Sequence, residues 1–167
     1  MSLGFTVLLW FHVVGAIGWV GAMLVFGLLV GPTLPSLSPT SRGELVVKLI
    51  PKYVLFAQIF TVITPVFGLA LALYISHGSM SVFTPNNNFS RFVDIGAFLS
   101  VGAWVIAFLF LSPAAYSVVK YTRESMNSSA PPSPELSKAY DMLKFASALG
   151  IVILLFIVAC MVAAATL

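Results

Sequence analysis

The chain has 167 residues, of which 60% are hydrophobic and 8% are charged, and its formal net charge is +3. Its mean hydropathy is +1.07. A water-soluble domain carries roughly 25% charged residues, so this composition excludes that class and indicates an integral membrane protein. In such a chain the few lysines and arginines act as topology signals, so we expect a lipid bilayer, and no nucleic acid, as partner.

Four apolar runs are each long enough to cross the ~30 Å hydrocarbon core of a bilayer as a helix. They cover residues 4–30, 53–76, 92–118 and 144–166. The predicted fold class is therefore all-α: a four-transmembrane-helix bundle that forms a single membrane domain over residues 1–167.

The first run has one strongly polar side chain, His12, and no Asp, Glu, Lys or Arg. On a helix, the face of His12 also carries Ala16, Trp19 and Met23. The glycines beside that face leave room for a neighbouring helix or a flat ligand; they are Gly15, Gly18 and Gly21. An intramembrane histidine indicates a functional site by default, so we expect a ligand or proton-relay role. The alternative is a hydrogen bond to a neighbouring helix.

The connections between the runs carry helix-start signals. Ser41, with Glu44 three residues later, is typical of a capping box that opens a short amphipathic segment. Pro51 is expected to break or kink the chain before the second run. In the third connection, Ser133 followed by Pro134 predicts a helix that continues unbroken into the fourth run.

The basic residues are distributed unevenly. Seven of the eight lie in or directly beside the first and third connections, residues 31–52 and 119–143. Because cytoplasmic loops are enriched in Lys and Arg, we expect both connections to be cytoplasmic and both termini extracytoplasmic, in a multi-pass protein of the cell membrane. The eighth, Arg91, lies at the opposite end. The other unusual side chains expected at that end are His12, His77, Met80 and Asp94.

An internal repeat is visible in the first and third runs. Val20–Ala22 recurs as Val101–Ala103, and Pro32 recurs as Pro113, both with an offset of 81 residues. Since these two runs cross in the same direction, the pattern predicts a parallel duplication of a helical hairpin about an axis along the membrane normal. A chance match in a chain rich in Ala, Gly and Val is the alternative.

A heme b site in a helical bundle needs an axial imidazole, close approach to the ring and a cation near the propionates. His12 is the candidate iron ligand, with Gly15 and Trp19 beside it. Arg91 is the candidate propionate partner, and His77 is a candidate second axial ligand. Because the chain has two histidines, the four-histidine pattern of diheme cytochromes b is excluded. We expect at most one heme per chain, or one shared between chains.

A copper site is the alternative to heme, because imidazole and thioether ligands suit Cu(I). His77 and Met80 form an H-x-x-M pattern, and His12 would be the third ligand of a copper site. The alternative is that both are loop residues without a ligand role. Asp94 is expected to hydrogen-bond the ring of His12, fixing its tautomer or passing a proton. Otherwise it pairs with Arg91 or occupies a helix N-terminus, where the dipole favours a negative charge.

The pattern His12-x6-Trp19-x-Gly21 is similar to the first helix of a loose group of small four-helix membrane proteins. That group includes the membrane domain of copper-resistance D proteins and the HemJ-type protoporphyrinogen oxidases. The second run, with Thr64 and Gly68, is similar in style. The resemblance thus covers the first half of the chain.

The comparison with HemJ-type oxidases implies that His12 ligates heme b, and the comparison with copper-resistance D proteins implies that His12 handles copper during uptake. The chain departs from both patterns. Only apolar residues follow Trp19 as far as Gly31, where the oxidases have a basic residue, and no Met- or His-rich stretch that would deliver copper is present.

The leading expectation is a heme b-binding membrane protein for electron transfer or a heme-dependent redox step near the outer face, with quinone as a partner and an oxidoreductase as its enzymatic form. The alternatives are a copper-handling membrane protein and a non-catalytic subunit of a larger membrane complex. The small-residue helix faces also predict a homo-oligomer or a larger complex.

Overall fold

A computed structural model describes residues 2–84, 87–128 and 133–166. These residues form four long helices and no strand: α1 (Leu3–Ser36), α2 (Pro39–Ile75), α3 (Asn88–Met126) and α4 (Pro134–Thr166). Each is long and apolar enough to cross a membrane. The predicted all-α, four-helix fold is thus confirmed, and the chain is a multi-pass membrane protein.

The four helices pair as two antiparallel hairpins, α1 with α2 and α3 with α4. We call the end of the bundle that carries residues 31–52, 119–128 and 133–143 the connection end, and the opposite end the terminal end. At the connection end α2 also packs on the second half of α3, and the two hairpins share an apolar core. The fully buried centre of that core is formed by Val46, Ile50 and Val118. Packing at the connection end therefore joins the hairpins.

The helices α1 and α3 are distorted at matching places. Each contains one turn of π-helix, Val25–Val30 in α1 and Ala107–Leu111 in α3. Pro32 and Pro113 follow these turns, and a proline cannot donate the backbone hydrogen bond of a regular helix. An offset of 81 residues places 25–30 on 106–111, which is where the second π turn lies. This match supports the predicted duplication of a hairpin.

The same register matches the packing of small residues. Gly15 of α1 and Gly96 of α3 are both buried against the second helix of their own hairpin. Gly21 and Gly102, in contrast, both have open space where a Cβ would lie. At these two pairs of positions the hairpins therefore have similar surroundings.

The start of α2 differs from the prediction. The helix begins at Pro39, and the hydroxyl of its N-cap, Ser38, accepts a hydrogen bond from the backbone N–H of Ser41. Glu44 forms a surface salt bridge of 3.1 Å with Lys48. The capping box predicted for Ser41 and Glu44 is wrong, because the earlier pair of Ser38 and Pro39 provides both a cap and the favoured proline at the first helical position.

The rest of α2 is continuous, and it includes both Pro51 and Pro65. The predicted break at Pro51 is therefore wrong, while the alternative of a kink there stays a prediction. The segment before Pro51 extends the second span towards the connection end. The start of α4 agrees with the prediction. The helix begins at Pro134, and the hydroxyl of Ser133 accepts a hydrogen bond from the backbone N–H of Leu136 at 3.3 Å.

The outward surface of the bundle is strongly apolar. Phe98 is 80% exposed, Phe145 is 72% exposed and Leu109 is 66% exposed. Apolar surface of this extent is typical of a membrane interaction. The outer faces of the helices are thus suited to contact with lipid.

Candidate functional site around His12

His12 of α1 is held by the backbone of α2. Its ring Nδ1 lies 2.9 Å from the backbone carbonyl oxygen of Thr64. Since a carbonyl oxygen only accepts, Nδ1 carries a proton and donates this hydrogen bond, which leaves Nε2 as the ring nitrogen that the bond does not use. The half-buried ring therefore offers Nε2 as a metal ligand or a proton acceptor.

Gly68, one turn beyond Thr64, makes room for the ring. A Cβ at this position would lie 2.8 Å from Cε1 and 2.9 Å from Nδ1 of His12. Real Cβ atoms do not approach other atoms so closely, so any larger residue would displace the imidazole. Gly68 is thus a positioning residue for His12.

The glycines beside His12 serve the contact between the two helices. A Cβ at Gly15 would lie 2.9 Å from the Thr64 hydroxyl oxygen, and one at Gly18 would lie 2.4 Å from the Phe60 ring. The part of this face beside Gly15 and Gly18 is therefore occupied by α2, whereas Gly21 has open space where a Cβ would lie. A ligand has to reach His12 from another side.

Trp19 lies deeper in the bundle. Its side chain is 3% exposed and packs in an apolar cluster with Met23, Ala103 and Leu154. It follows His12 by seven residues, which is roughly 10 Å along a helix. The structure therefore places Trp19 in the packing between the hairpins, away from the His12 ring.

His77 and Met80 lie at the terminal end, in the exposed segment after α2. From Gly68, beside His12, α2 runs on to Ile75, which is roughly 10 Å along the helix axis. The structure therefore does not bring His77 and His12 together. Nowhere in the described ranges do three or more His, Cys, Asp or Glu side chains form a group that could hold a metal ion.

Arg91 and Asp94 lie in the first turns of α3, in the other hairpin. The side chain of Arg91 is exposed and that of Asp94 is partly exposed. Neither forms a salt bridge or a side-chain hydrogen bond with another residue that the structure describes. The expected hydrogen bond between Asp94 and His12 is thus not formed, and Arg91 is available to an anionic group.

The residue types in the sequence do not predict the contacts that the Thr64 carbonyl oxygen and Gly68 make with His12. The hydrogen-bond acceptor is the main chain of Thr64, and every residue has a carbonyl group. Gly68 carries a signal in the sequence, since a glycine inside an apolar helix costs about 1 kcal/mol relative to Ala and therefore indicates close packing. It does not indicate which side chain packs there.

No family model matches this chain, and no curated protein or solved structure gives a significant match.

Proposed function

We propose that this membrane protein binds heme b through Nε2 of His12 and uses it for electron transfer or for another one-electron redox step. The observation that carries the proposal is the hydrogen bond from Nδ1 of His12 to the Thr64 carbonyl oxygen. Histidines that ligate metals almost always donate their other ring N–H in this way, which fixes the tautomer and raises the basicity of the ligating nitrogen.

The donor set favours heme over copper. One imidazole from the protein suffices for heme iron, because the porphyrin supplies four further ligands. A copper site needs several protein ligands, and the candidates His77 and Met80 lie on the segment beyond α2, apart from His12. A single, well-positioned histidine therefore fits a heme protein better.

The interior of the bundle limits where the porphyrin binds. The cavity beside Trp19 has a volume of about 40 Å³, whereas pockets for small molecules typically occupy ~300–1,000 Å³. The proposal therefore places the heme on the outer surface of the first hairpin, or between two copies of the chain. A homo-oligomer would shield such a heme from lipid.

Arg91 is the proposed partner of the heme propionates. It is the one basic side chain of the sequence at the terminal end. The 81-residue register aligns Arg91 with Trp10, two residues before His12. In this register Arg91 and His12 would lie at a similar depth in the bilayer. Bound heme b would supply one-electron transfer, His12 would hold its iron, and Arg91 would neutralise the charge of its propionates.

The basic residues also support a topology. Seven of the eight lie at the connection end, so we place that end in the cytoplasm and both termini outside the cell membrane. His12 is then in the outer half of the bilayer. A membrane quinone is a suitable redox partner, since it reaches such a site through the lipid.

The test is the visible spectrum of the protein, purified without a histidine tag from cells grown with ample heme. It is recorded as isolated and after dithionite. We expect a Soret band and reduced α and β bands in the wild type and in the His77→Ala control, and none in His12→Ala.

A colourless wild-type protein would contradict the proposal, as would a heme spectrum that survives in His12→Ala. Copper in the elemental analysis of the colourless protein would favour copper handling. Co-purification with a larger complex, with neither cofactor present, would favour a non-catalytic subunit.

A further inference from the structure

A small cavity with a mostly apolar lining and a few polar side chains lies inside the bundle, apart from His12. It has a volume of about 40 Å³ and is lined by residues of all four helices, and the side chains that carry polar atoms are Trp19, Tyr53, Gln58, Thr61 and Ser112. These side chains lie among buried apolar residues of the shared core. Polar groups in such surroundings need hydrogen-bond partners.

Part of this polar lining is paired within the protein. The amide of Gln58 donates to the hydroxyl oxygen of Ser112 at 3.0 Å, and that hydroxyl donates to the carbonyl oxygen of Ala107 at 2.8 Å. The hydroxyl of Tyr53 donates to the carbonyl oxygen of Ala22 at 3.2 Å. The helix α2 thus forms a hydrogen bond with α1 just before the π turn of α1, and another with α3 just after the π turn of α3.

Two polar atoms beside the cavity lack protein partners. Trp19 is 97% buried, since its exposed fraction is 3%, and its indole N–H has no acceptor in the described part of the chain. Gln58 donates through its amide nitrogen, but its side-chain oxygen accepts no hydrogen bond from the described residues. Two residues that line the cavity therefore leave one donor and one acceptor without a hydrogen bond in the described part of the chain.

The volume of the cavity and its few polar groups indicate which kind of molecule fits in it. A water molecule needs about 10–15 Å³ when volume is measured with a water-sized sphere, and buried waters typically make about three hydrogen bonds to polar groups that lack partners. A quinone ring or a porphyrin is far too large for this space. The cavity has room for about three or four waters by this measure.

We propose that this cavity is a hydration site inside the membrane, and that its waters accept from the indole N–H of Trp19 and donate to the side-chain oxygen of Gln58. The waters complete the polar network that α2 forms with α1 and α3. This inference is independent of heme binding, because the cavity lies roughly 10 Å along α1 from His12.

The first test uses the wild-type protein, in crystals that diffract well enough to show ordered water and in the same crystals under xenon pressure. Dry apolar cavities of sufficient size bind xenon, whereas hydrated polar ones do not. We expect water density within hydrogen-bonding distance of Trp19 Nε1 and Gln58 Oε1, and no xenon. Xenon in the cavity, or the absence of water density there, would overturn the proposal.

A second test uses fluorescence and needs a single tryptophan. Trp10 and Trp104 are 58% and 42% exposed, so both are replaced by Phe, which leaves Trp19 as the only emitter. In this background Gln58→Leu should shift the emission to shorter wavelength, because the waters at the indole are lost. Ser100→Ala, which removes a hydroxyl outside the cavity lining, is the matched control. Equal emission from the Gln58→Leu variant and its parent would contradict the proposal.

Discussion

The two hairpins have the same helix distortions and glycine contacts, but they differ at the position of His12. Their π turns and their tightly packed glycines Gly15 and Gly96 match in the 81-residue register. That register aligns His12 with Val93, an apolar residue. In the first hairpin, α2 provides a carbonyl oxygen and Gly68 to hold the imidazole. The repeated residues pack the helices of both hairpins, whereas the held imidazole occurs in one of them, which makes His12 the residue to test for function.

The largest effect on heme binding is expected when His12 of the first hairpin is replaced by valine, the residue at the equivalent position 93 of the second hairpin. His12→Val should reduce the heme content of the purified chain to background, because the iron ligand is lost. Folding should change little, since one hydrogen bond contributes only about 0.5–1.5 kcal/mol. Heme is measured as the pyridine hemochrome, and folding is measured by circular dichroism. Retention of heme by a folded His12→Val protein would contradict the assignment of the ligand.

Gly68→Ala should have the next largest effect on heme binding. The new Cβ would lie 2.8 Å from Cε1 of His12, so the ring must move and its hydrogen bond to Thr64 must break. We expect heme content to fall severalfold. The matched control is Gly21→Ala, whose Cβ meets no atom within 4 Å. An equal effect of the two substitutions would show that Gly68 has no specific role in positioning His12.

A third comparison concerns the stability of the two hairpins. A Cβ at Gly15 would lie 3.1 Å from the backbone nitrogen of Thr64, whereas one at Gly96 would meet the end of the flexible Met161 side chain at 2.4 Å. Gly15→Ala should therefore lower the free energy of unfolding by about 1–3 kcal/mol, and Gly96→Ala should lower it by less. Denaturant unfolding in detergent measures both, and the reverse order would contradict this packing analysis.

The smallest effects are expected where α2 hydrogen-bonds to α1 and α3. Tyr53→Phe removes a donor to the Ala22 carbonyl oxygen of α1. We expect a loss of about 0.6 kcal/mol, the average for hydrogen bonds between membrane helices. Ser112→Ala should cost more, because it leaves the Gln58 amide without its partner and removes one of the two hydrogen bonds that the Ala107 carbonyl oxygen accepts. A larger loss for Tyr53→Phe than for Ser112→Ala would exclude this ranking.

The helices were predictable because hydropathy acts within short stretches of chain. The start of α2 was not, because Ser38 and Ser41 are both good N-caps and Pro39 favours the first of them. Gly15 and Trp19 show a different limit. Small and aromatic residues suit both a flat ligand and a neighbouring helix, and only the packing shows that they contact α2 and the apolar cluster around Met23.

The central claim, that Nε2 of His12 binds heme iron, can be tested by isotope labelling. In a His77→Ala variant His12 is the only histidine, because the chain has two. Labelling with ¹⁵N-histidine then marks this ring alone. We predict that the iron–histidine vibration in the resonance Raman spectrum of the reduced protein shifts to lower frequency on labelling. A heme-containing protein whose iron–ligand vibrations do not shift would contradict the claim.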